Sequence, residues 1–287
     1  MQKLFELSNL RCSYDKHYRE KESRVVLEIE HLLIPRGKKI FIVGESGIGK
    51  STILETLGMM NNTIVPDDFT HFNFHDGENE INLKEMWKKS DRELSDFRLK
   101  NYSFIFQSTN LMRNFTAFEN IAFTRMLQGF SRFSSFQRTR KVLADLGLEH
   151  VDERRMSQEL SGGQQQRLAF ARAIVPDFTV LFGDEPTGNL DAENAVRVMK
   201  ILTNKLSEHM GSSAIIVSHD MHLAVTFADI IIKIRKKIRP KQHEDDEDIS
   251  YGYCDDTCVY SQIDKGLWSN DIEQYDSIEF EEFLRKK

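Results

Sequence analysis

The chain has 287 residues, 40% of them hydrophobic and 29% charged, and a formal net charge of −6; this is the balance of a soluble globular protein with room for one large α/β domain and an appendage. The charge is unevenly spread: residues 241–287 hold 14 Asp/Glu against 5 Lys/Arg, and the 240 residues before them are close to neutral. Charge alone therefore argues against a nucleic-acid-binding surface, no apolar run approaches the roughly 18 residues of a membrane-spanning helix, and residues 1–6 lack the basic and apolar regions of a signal peptide.

Residues 3–8 and 25–34 read as strands, with apolar side chains alternating or clustered and Pro35-Arg36-Gly37 as the following turn. Residues 39–43 form a short apolar, β-branched run that ends at a glycine, and residues 50–59 read as a helix. The stretch 61–99 is less regular, with a candidate edge strand at 70–74 and a turn-rich segment at 75–79. A core strand is expected at 102–106, helices over 118–146 with a polar break at 129–135, and short buried strands at 180–182 and 214–217. Strands alternating with helices predict an α/β fold with a mainly parallel sheet. Pro240 closes this pattern, and the charge run 243–248 reads as a solvated linker. Beyond it, Ile272, Tyr275, Ile278, Phe280, Phe283 and Leu284 fall near helical spacing, so 271–284 is expected to form an amphipathic helix packed on its own domain. Three cysteines, Cys12, Cys254 and Cys258, are too few for a disulfide framework and read as ordinary thiols of a reducing compartment.

Three motifs carry chemistry. Gly44-Glu45-Ser46-Gly47-Ile48-Gly49-Lys50-Ser51-Thr52, set between a strand and a helix, has the form of a phosphate-binding loop. Glycines let the backbone N–H groups wrap around phosphate oxygens, the helix N-terminus adds its dipole, Lys50 supplies a point charge for the β- and γ-phosphates, and the Ser51 hydroxyl suits Mg²⁺. The apolar strand at 180–182 then delivers Asp184 toward the metal and Glu185 toward the attacking water as general base. In the third motif, Ser161-Gly162-Gly163-Gln164 opens a helix, so its first amides form a second anion site.

The octet Leu160-Ser161-Gly162-Gly163-Gln164-Gln165-Gln166-Arg167 resembles the signature of ABC ATPases, and the resemblance covers roughly residues 1–235. It implies a P-loop NTPase of ABC type: a mixed, mainly parallel sheet, an antiparallel β-subdomain and an α-helical signature subdomain at about 100–165, within an ATPase domain at 1–240. Residues 241–287 would be an acidic extension. It also implies that Gln107 is the glutamine contacting metal and water, that Asn189-Leu190-Asp191 crosses a dimer interface, that His219 contacts the γ-phosphate, and that Tyr14, with Tyr18 close by, stacks on adenine. Asn110 through Ile121 and Asp184 through Asp191 are most similar to ATPases of the lipoprotein-release, macrolide-export and cell-division type (LolD/MacB/FtsE-like).

The resemblance implies ATP and Mg²⁺ as ligands, with Ser51, Gln107 and Asp184 on the metal, and a homodimer closing on two ATP molecules. It further implies a cytoplasmic subunit held at the inner face of the membrane by an integral-membrane permease or mechanotransmitter. The other reading is a soluble ABC ATPase acting as a nucleotide-gated switch on a non-transport effector. Three features depart from the subgroup: the long polar stretch 61–98, Ile48 and Gly183 at positions where other residues are usual, and the acidic tail.

Overall fold

The computed structural model describes residues 2–14, 25–151, 153–188, 190–208, 211–239 and 249–286. The charge run at 243–248, Pro240, Tyr18 and Asn189 lie outside the described residues. The chain divides into two compact units, residues 1–94 with 217–287, and residues 95–216. No described helix is long and apolar enough to cross a membrane.

The first unit opens with β1 (Lys3–Ser13) and β2 (Val25–Pro35), an antiparallel pair of long strands. They are followed by β3 (Lys39–Val43), α1 (Lys50–Leu57), β4 (His71–His75), β5 (Glu80–Asn82) and α2 (Leu83–Met86). Helix α3 (Asp91–Asn101) carries the chain into the second unit. There follow β6 (Tyr102–Ile105), α4 (Ala117–Leu127), α5 (Arg132–Asp145), α6 (Gly162–Ile174), β7 (Val180–Asp184), α7 (Ala192–Glu208) and β8 (Ser213–Val217). The chain then rejoins the first unit with α8 (Met221–Phe227), β9 (Ile230–Lys233), β10 (Arg235–Arg239), β11 (Ile249–Cys254), β12 (Val259–Asp264), β13 (Leu267–Ser269), β14 (Gln274–Asp276) and α9 (Ser277–Arg285).

In the first unit one sheet runs β10-β11-β2-β1-β4-β5 and a second contains the order β14-β13-β12-β9-β3. Strand β3 pairs parallel to β9, and antiparallel β12, β13 and β14 extend that sheet outward. In the second unit β7 lies between β8 and β6, with β6 and β7 parallel. The parallel strands are apolar along their length (Ile40, Phe41, Ile42 and Val43 are at most 1% exposed, as are Leu181 and Phe182) because both faces are covered. Phe182 stacks on Phe104 and meets the edge of the Tyr102 ring, which fixes the strand ends that carry the site.

Two sequence expectations change. The strand expected at the edge, 70–74, is β4, and it sits between β1 and β5; the edge belongs to β5, three residues long. The helix expected at 271–284 begins only at Ser277, because Gln274–Asp276 pairs antiparallel with β13. Asp276 marks the switch, accepting from the amides of Ile278 and Glu279 while Glu279 bonds back in a capping box. The helix packs on its own unit: Phe280 is fully buried and stacks on Trp268, with Tyr260 and Tyr275 around it.

The described part of the acidic tail is a set of strands added to existing sheets, which sequence pattern did not predict. Lysine, arginine and histidine side chains from outside it contact it. Lys237 lies over the Tyr253 ring at 3.1 Å, Arg235 donates to the Thr257 carbonyl at 2.8 Å, and His31 and His222 bond to Asp256 and Glu281. Cys12, Cys254 and Cys258 are all free and buried.

Candidate functional site

The phosphate loop is built on β3. Beyond Val43 the chain turns through Gly44 (φ 153), Gly47 (φ 75) and Gly49 (φ 98), conformations that a Cβ would strain. Gly49 is the N-cap of α1 in left-handed geometry with no side-chain cap, and the first intrahelical bond is Ile53 N–H to the Gly49 carbonyl at 3.0 Å. The amides of residues 50–52 thus precede the helix's own ladder and point along its axis, where an anion is favoured. Lys50 is 5% exposed and its ammonium donates to the carbonyls of Gly44 (3.0 Å) and Glu45 (2.6 Å), so the charge is held over the loop. The Ser51 side chain is exposed and that of Thr52 is buried. Ile48, unusual at its position, is buried with its side chain against Gly44.

Tyr14 is tied to the same helix. Its hydroxyl donates to Glu55 at 3.1 Å and lies 3.2 Å from the Thr52 hydroxyl, leaving a ring that is 52% exposed. Partial burial, with the Glu55 carboxylate adding to it, pushes the phenol above its ordinary value. His219 follows β8 and is exposed; Ser218 N–H bonds to the Ile42 carbonyl at 3.3 Å and Asp220 caps α8. A cleft of about 1020 Å³ brings His219 together with Gly44, Glu45 and Ser46.

The second unit holds the other predicted residues. Buried β7 ends at Asp184, which is partly exposed. Glu185 has φ 48, a left-handed conformation costing about 1–3 kcal/mol for a non-glycine residue. It is fixed by the Gly188 N–H on its carbonyl (3.1 Å) and by Gln107, whose amide NH₂ donates to a Glu185 carboxylate oxygen at 3.4 Å. The structure thereby joins Gln107 and Glu185 directly. Gly183 is also explained: a methyl there would lie 3.3 Å from the Pro186 ring and 3.6 Å from Ile216.

Ser161 is the N-cap of α6 in a reciprocal capping box with Gln164. Their side-chain oxygens accept in the cap, the Gln164 amide nitrogen lies 3.4 Å from His150 Nε2, and a methyl built on Gly162 or Gly163 would meet nothing within 4 Å. What this terminus offers outward is backbone N–H. Asp191 accepts from the backbone and side-chain amide of Asn194, which holds its carboxyl below the usual range.

Two supports were not legible from the motifs. Gln166, on α6, donates to the Pro186 carbonyl at 3.2 Å and so joins the signature helix to the turn carrying Glu185. Arg172, further along α6, donates to the carbonyls of Asn110 (2.7 Å) and Thr109 (2.9 Å), anchoring the segment after Gln107; burial depresses its guanidinium pKa.

Known proteins give the same reading. Residues 27–188, more than half of the chain, match the ABC transporter family. The chain is 35% identical over 211 residues to the lipoprotein-releasing system ATP-binding protein LolD of Pseudoalteromonas translucida, a match over 73% of this chain and 85% of that protein. It is 36% identical over 222 residues to the macrolide export ATP-binding/permease protein MacB of Aggregatibacter actinomycetemcomitans, 77% of this chain but only 32% of that protein. Among solved structures it resembles the dimeric bacterial ABC transporter cassette MJ0796, with a TM-score of 0.67 and 29% identity over 80% of this chain and 94% of that one. The same cassette is known as a dimer in a post-hydrolysis state bound to ADP and Pi, again with a TM-score of 0.67. With the phosphate loop, the acid pair at the end of β7 and the capped signature helix in place, the chain belongs to the ABC transporter family and is an ATPase cassette of that family.

Proposed function

We propose that two copies of this chain close on two ATP molecules and that closure and reopening drive a membrane-embedded partner. The observation that carries the proposal is the N-terminus of α6: an uncrowded, glycine-faced anion site fixed by a capping box that uses only the acceptor oxygens of Ser161 and Gln164. Such a site suits a γ-phosphate presented by a second copy. The dimeric state of the similar cassette MJ0796 supports this reading.

In this mechanism Lys50 and the amides at the start of α1 bind the β- and γ-phosphates. Glu185 accepts a proton as water oxygen bonds to the γ-phosphorus and the bond from phosphorus to the β–γ bridging oxygen breaks. Gln107, donating to Glu185, orients that carboxylate, and His219 contacts the γ-phosphate. Tyr14 stacks on adenine through its exposed ring. The donors Ser51, Asp184 and Gln107 offer hydroxyl, carboxylate and amide oxygens, a set suited to a hard cation such as Mg²⁺. When bound, Mg²⁺ supplies charge neutralisation on the phosphate oxygens.

The partner is proposed to dock in the second unit beside Gln107. A groove of about 380 Å³ there is lined by Phe104, Phe106, Met112, Phe123, Leu127 and Arg172 among others. Leu127 is 53% exposed and Phe123 36%, an apolar surface of the kind that marks protein contact. The MacB name joins an ATP-binding part to a permease and the LolD name belongs to a lipoprotein-releasing system, so a membrane-embedded permease is the expected partner.

Gly162→Asp tests the two-copy site. A carboxylate at the signature should repel a phosphate from the other copy while leaving nucleotide on the variant's own loop. The variant is expected to bind a fluorescent ATP analogue within about 2-fold of wild type and to lose ATP turnover at least 100-fold. Loss of nucleotide binding in parallel with turnover would refute the two-copy arrangement.

A further inference from the structure

The C-terminal strands reach the phosphate loop at Gly252. Strand β11 runs parallel to β2 with Gly252 opposite Leu27. The loop lies against the same strand, since a methyl on Gly49 would be 3.3 Å from the Val26 carbonyl oxygen and 3.4 Å from Leu27 Cβ. Gly252 meets the carbonyl oxygen of Ile48 so closely that any Cβ would overlap it, and that Cβ would also lie 3.1 Å from both Ile234 and Leu27. Gly252 is not among the residues with positive φ; the requirement for glycine here is one of space. The Ile48 carbonyl belongs to the peptide that leads into Gly49, the cap whose geometry aims the amides of residues 50–52.

We propose that Gly252 is a positioning residue for the phosphate loop: the extension braces the Ile48–Gly49 peptide and holds the loop ready for ATP. The inference rests on reading residues 44–52 as the ATP phosphate site. Three glycines at positive φ make this loop entropically costly to order. A brace that restricts it in advance therefore raises affinity by preorganisation.

A second tie runs through the end of β9 and the residues that follow it. Lys233 stands opposite Val43, the last residue before the loop, and its ammonium donates to the carbonyls of Phe283 (2.8 Å) and Lys286 (3.2 Å) at the end of α9. The Ile234 N–H bonds to the Val43 carbonyl, and the Ile234 carbonyl lies 3.0 Å from where a Cβ of Gly44 would be. Lys236 reaches Glu45 at 3.9 Å. The cleft beside the loop accordingly has Gly44, Glu45 and Ser46 on one side and Tyr260, Phe283 and Leu284 of the extension on another.

The test compares full-length wild type, Gly252→Ala, Trp268→Phe and Lys50→Ala, measuring Kd for a fluorescent ATP analogue, steady-state KM and kcat, and Tm. Trp268 is buried in β13, which β12 and β9 separate from β3, so its variant loosens the extension at a distance from the loop. Gly252→Ala is expected to raise Kd and KM at least 10-fold with kcat within about 3-fold of wild type. Trp268→Phe should lower Tm and leave Kd within 2-fold. Unchanged Kd in Gly252→Ala overturns the inference, as does a loss of affinity in both variants that merely follows Tm. Lys50→Ala separates the two levels: retained binding and turnover there would overturn the assignment of the loop itself. Wild-type hydrogen exchange reads the same contact if Gly252→Ala does not fold. Adding the analogue should slow exchange in peptides covering 249–254 together with those covering 44–52, and no change at 249–254 would contradict the brace.

Discussion

Glu185 and Lys205 show two ways in which a single side chain is held away from its relaxed state. Glu185 keeps a left-handed backbone just past the end of β7, and the bonds from Gly188 and Gln107 hold it there. Lys205 on α7 is 6% exposed and burial pushes its ammonium down to about 8, with the Arg138 charge adding to the effect. The unfolded chain binds a proton at this lysine up to the ordinary value of about 10.4, whereas the folded chain releases it near 8. Stability from this group is therefore lowest at neutral pH and rises as pH climbs from about 8 toward 10.4. Lys205→Met should raise Tm at pH 7 and flatten that rise, as read by thermal unfolding at stepped pH; a lower Tm with an unaltered pH slope would contradict the burial cost. The residues of the three motifs were legible in the sequence because their chemistry is local: a loop of glycines before a lysine, two acids after an apolar run, a serine and glutamine placed to cap a helix. Gln166 and Arg172 were not, since their acceptors, Pro186 and the carbonyls of Thr109 and Asn110, are remote in sequence and carry no pattern.

At the scale of elements, caps account for much of the observed punctuation. Thr116 with Glu119, Ser161 with Gln164 and Asp276 with Glu279 each form a capping box, and each lies where a polar residue meets an apolar run. Asp276 also ends β14, so it decides where strand becomes helix. Asp276→Ala should destabilise the protein by about 1 kcal/mol, seen as a lower denaturation midpoint, while Asp276→Asn should recover most of it. An unchanged midpoint in the alanine variant would remove the cap from the account. The tail strands escaped sequence reading for a physical reason. Strands β13 and β14 are three residues long, too short for a period of two to register, and β11 and β12 are stabilised by β2 and β9 from elsewhere in the chain. One usable signal was present: Asp264-Lys265-Gly266, with Gly266 at φ 83, forms the hairpin between β12 and β13. The acidic composition outweighed it, and beyond the charge run only a helix at 271–284 was expected.

For the whole molecule, the family and its ATPase chemistry follow from the cassette, and in the proposed function ATP is the adhesive of a two-copy assembly. In the proposed pair, binding energy at two composite sites favours closure and hydrolysis removes it, so the work available to a partner is the difference in nucleotide affinity between the two states. The tail enters at this level through Gly252 and Lys233, which attach residues 249–286 to the loop and to the strand beneath it. The −9 charge of residues 241–287 is thus carried on a segment whose described part is folded onto the engine. The most direct measurement of the central claim is the mass of Glu185→Gln by size-exclusion chromatography with light scattering, with and without ATP and Mg²⁺. With hydrolysis blocked and binding intact, the account predicts a monomer of 33.5 kDa without nucleotide and a stable species of twice that mass with ATP; a variant that binds ATP and remains monomeric would contradict it.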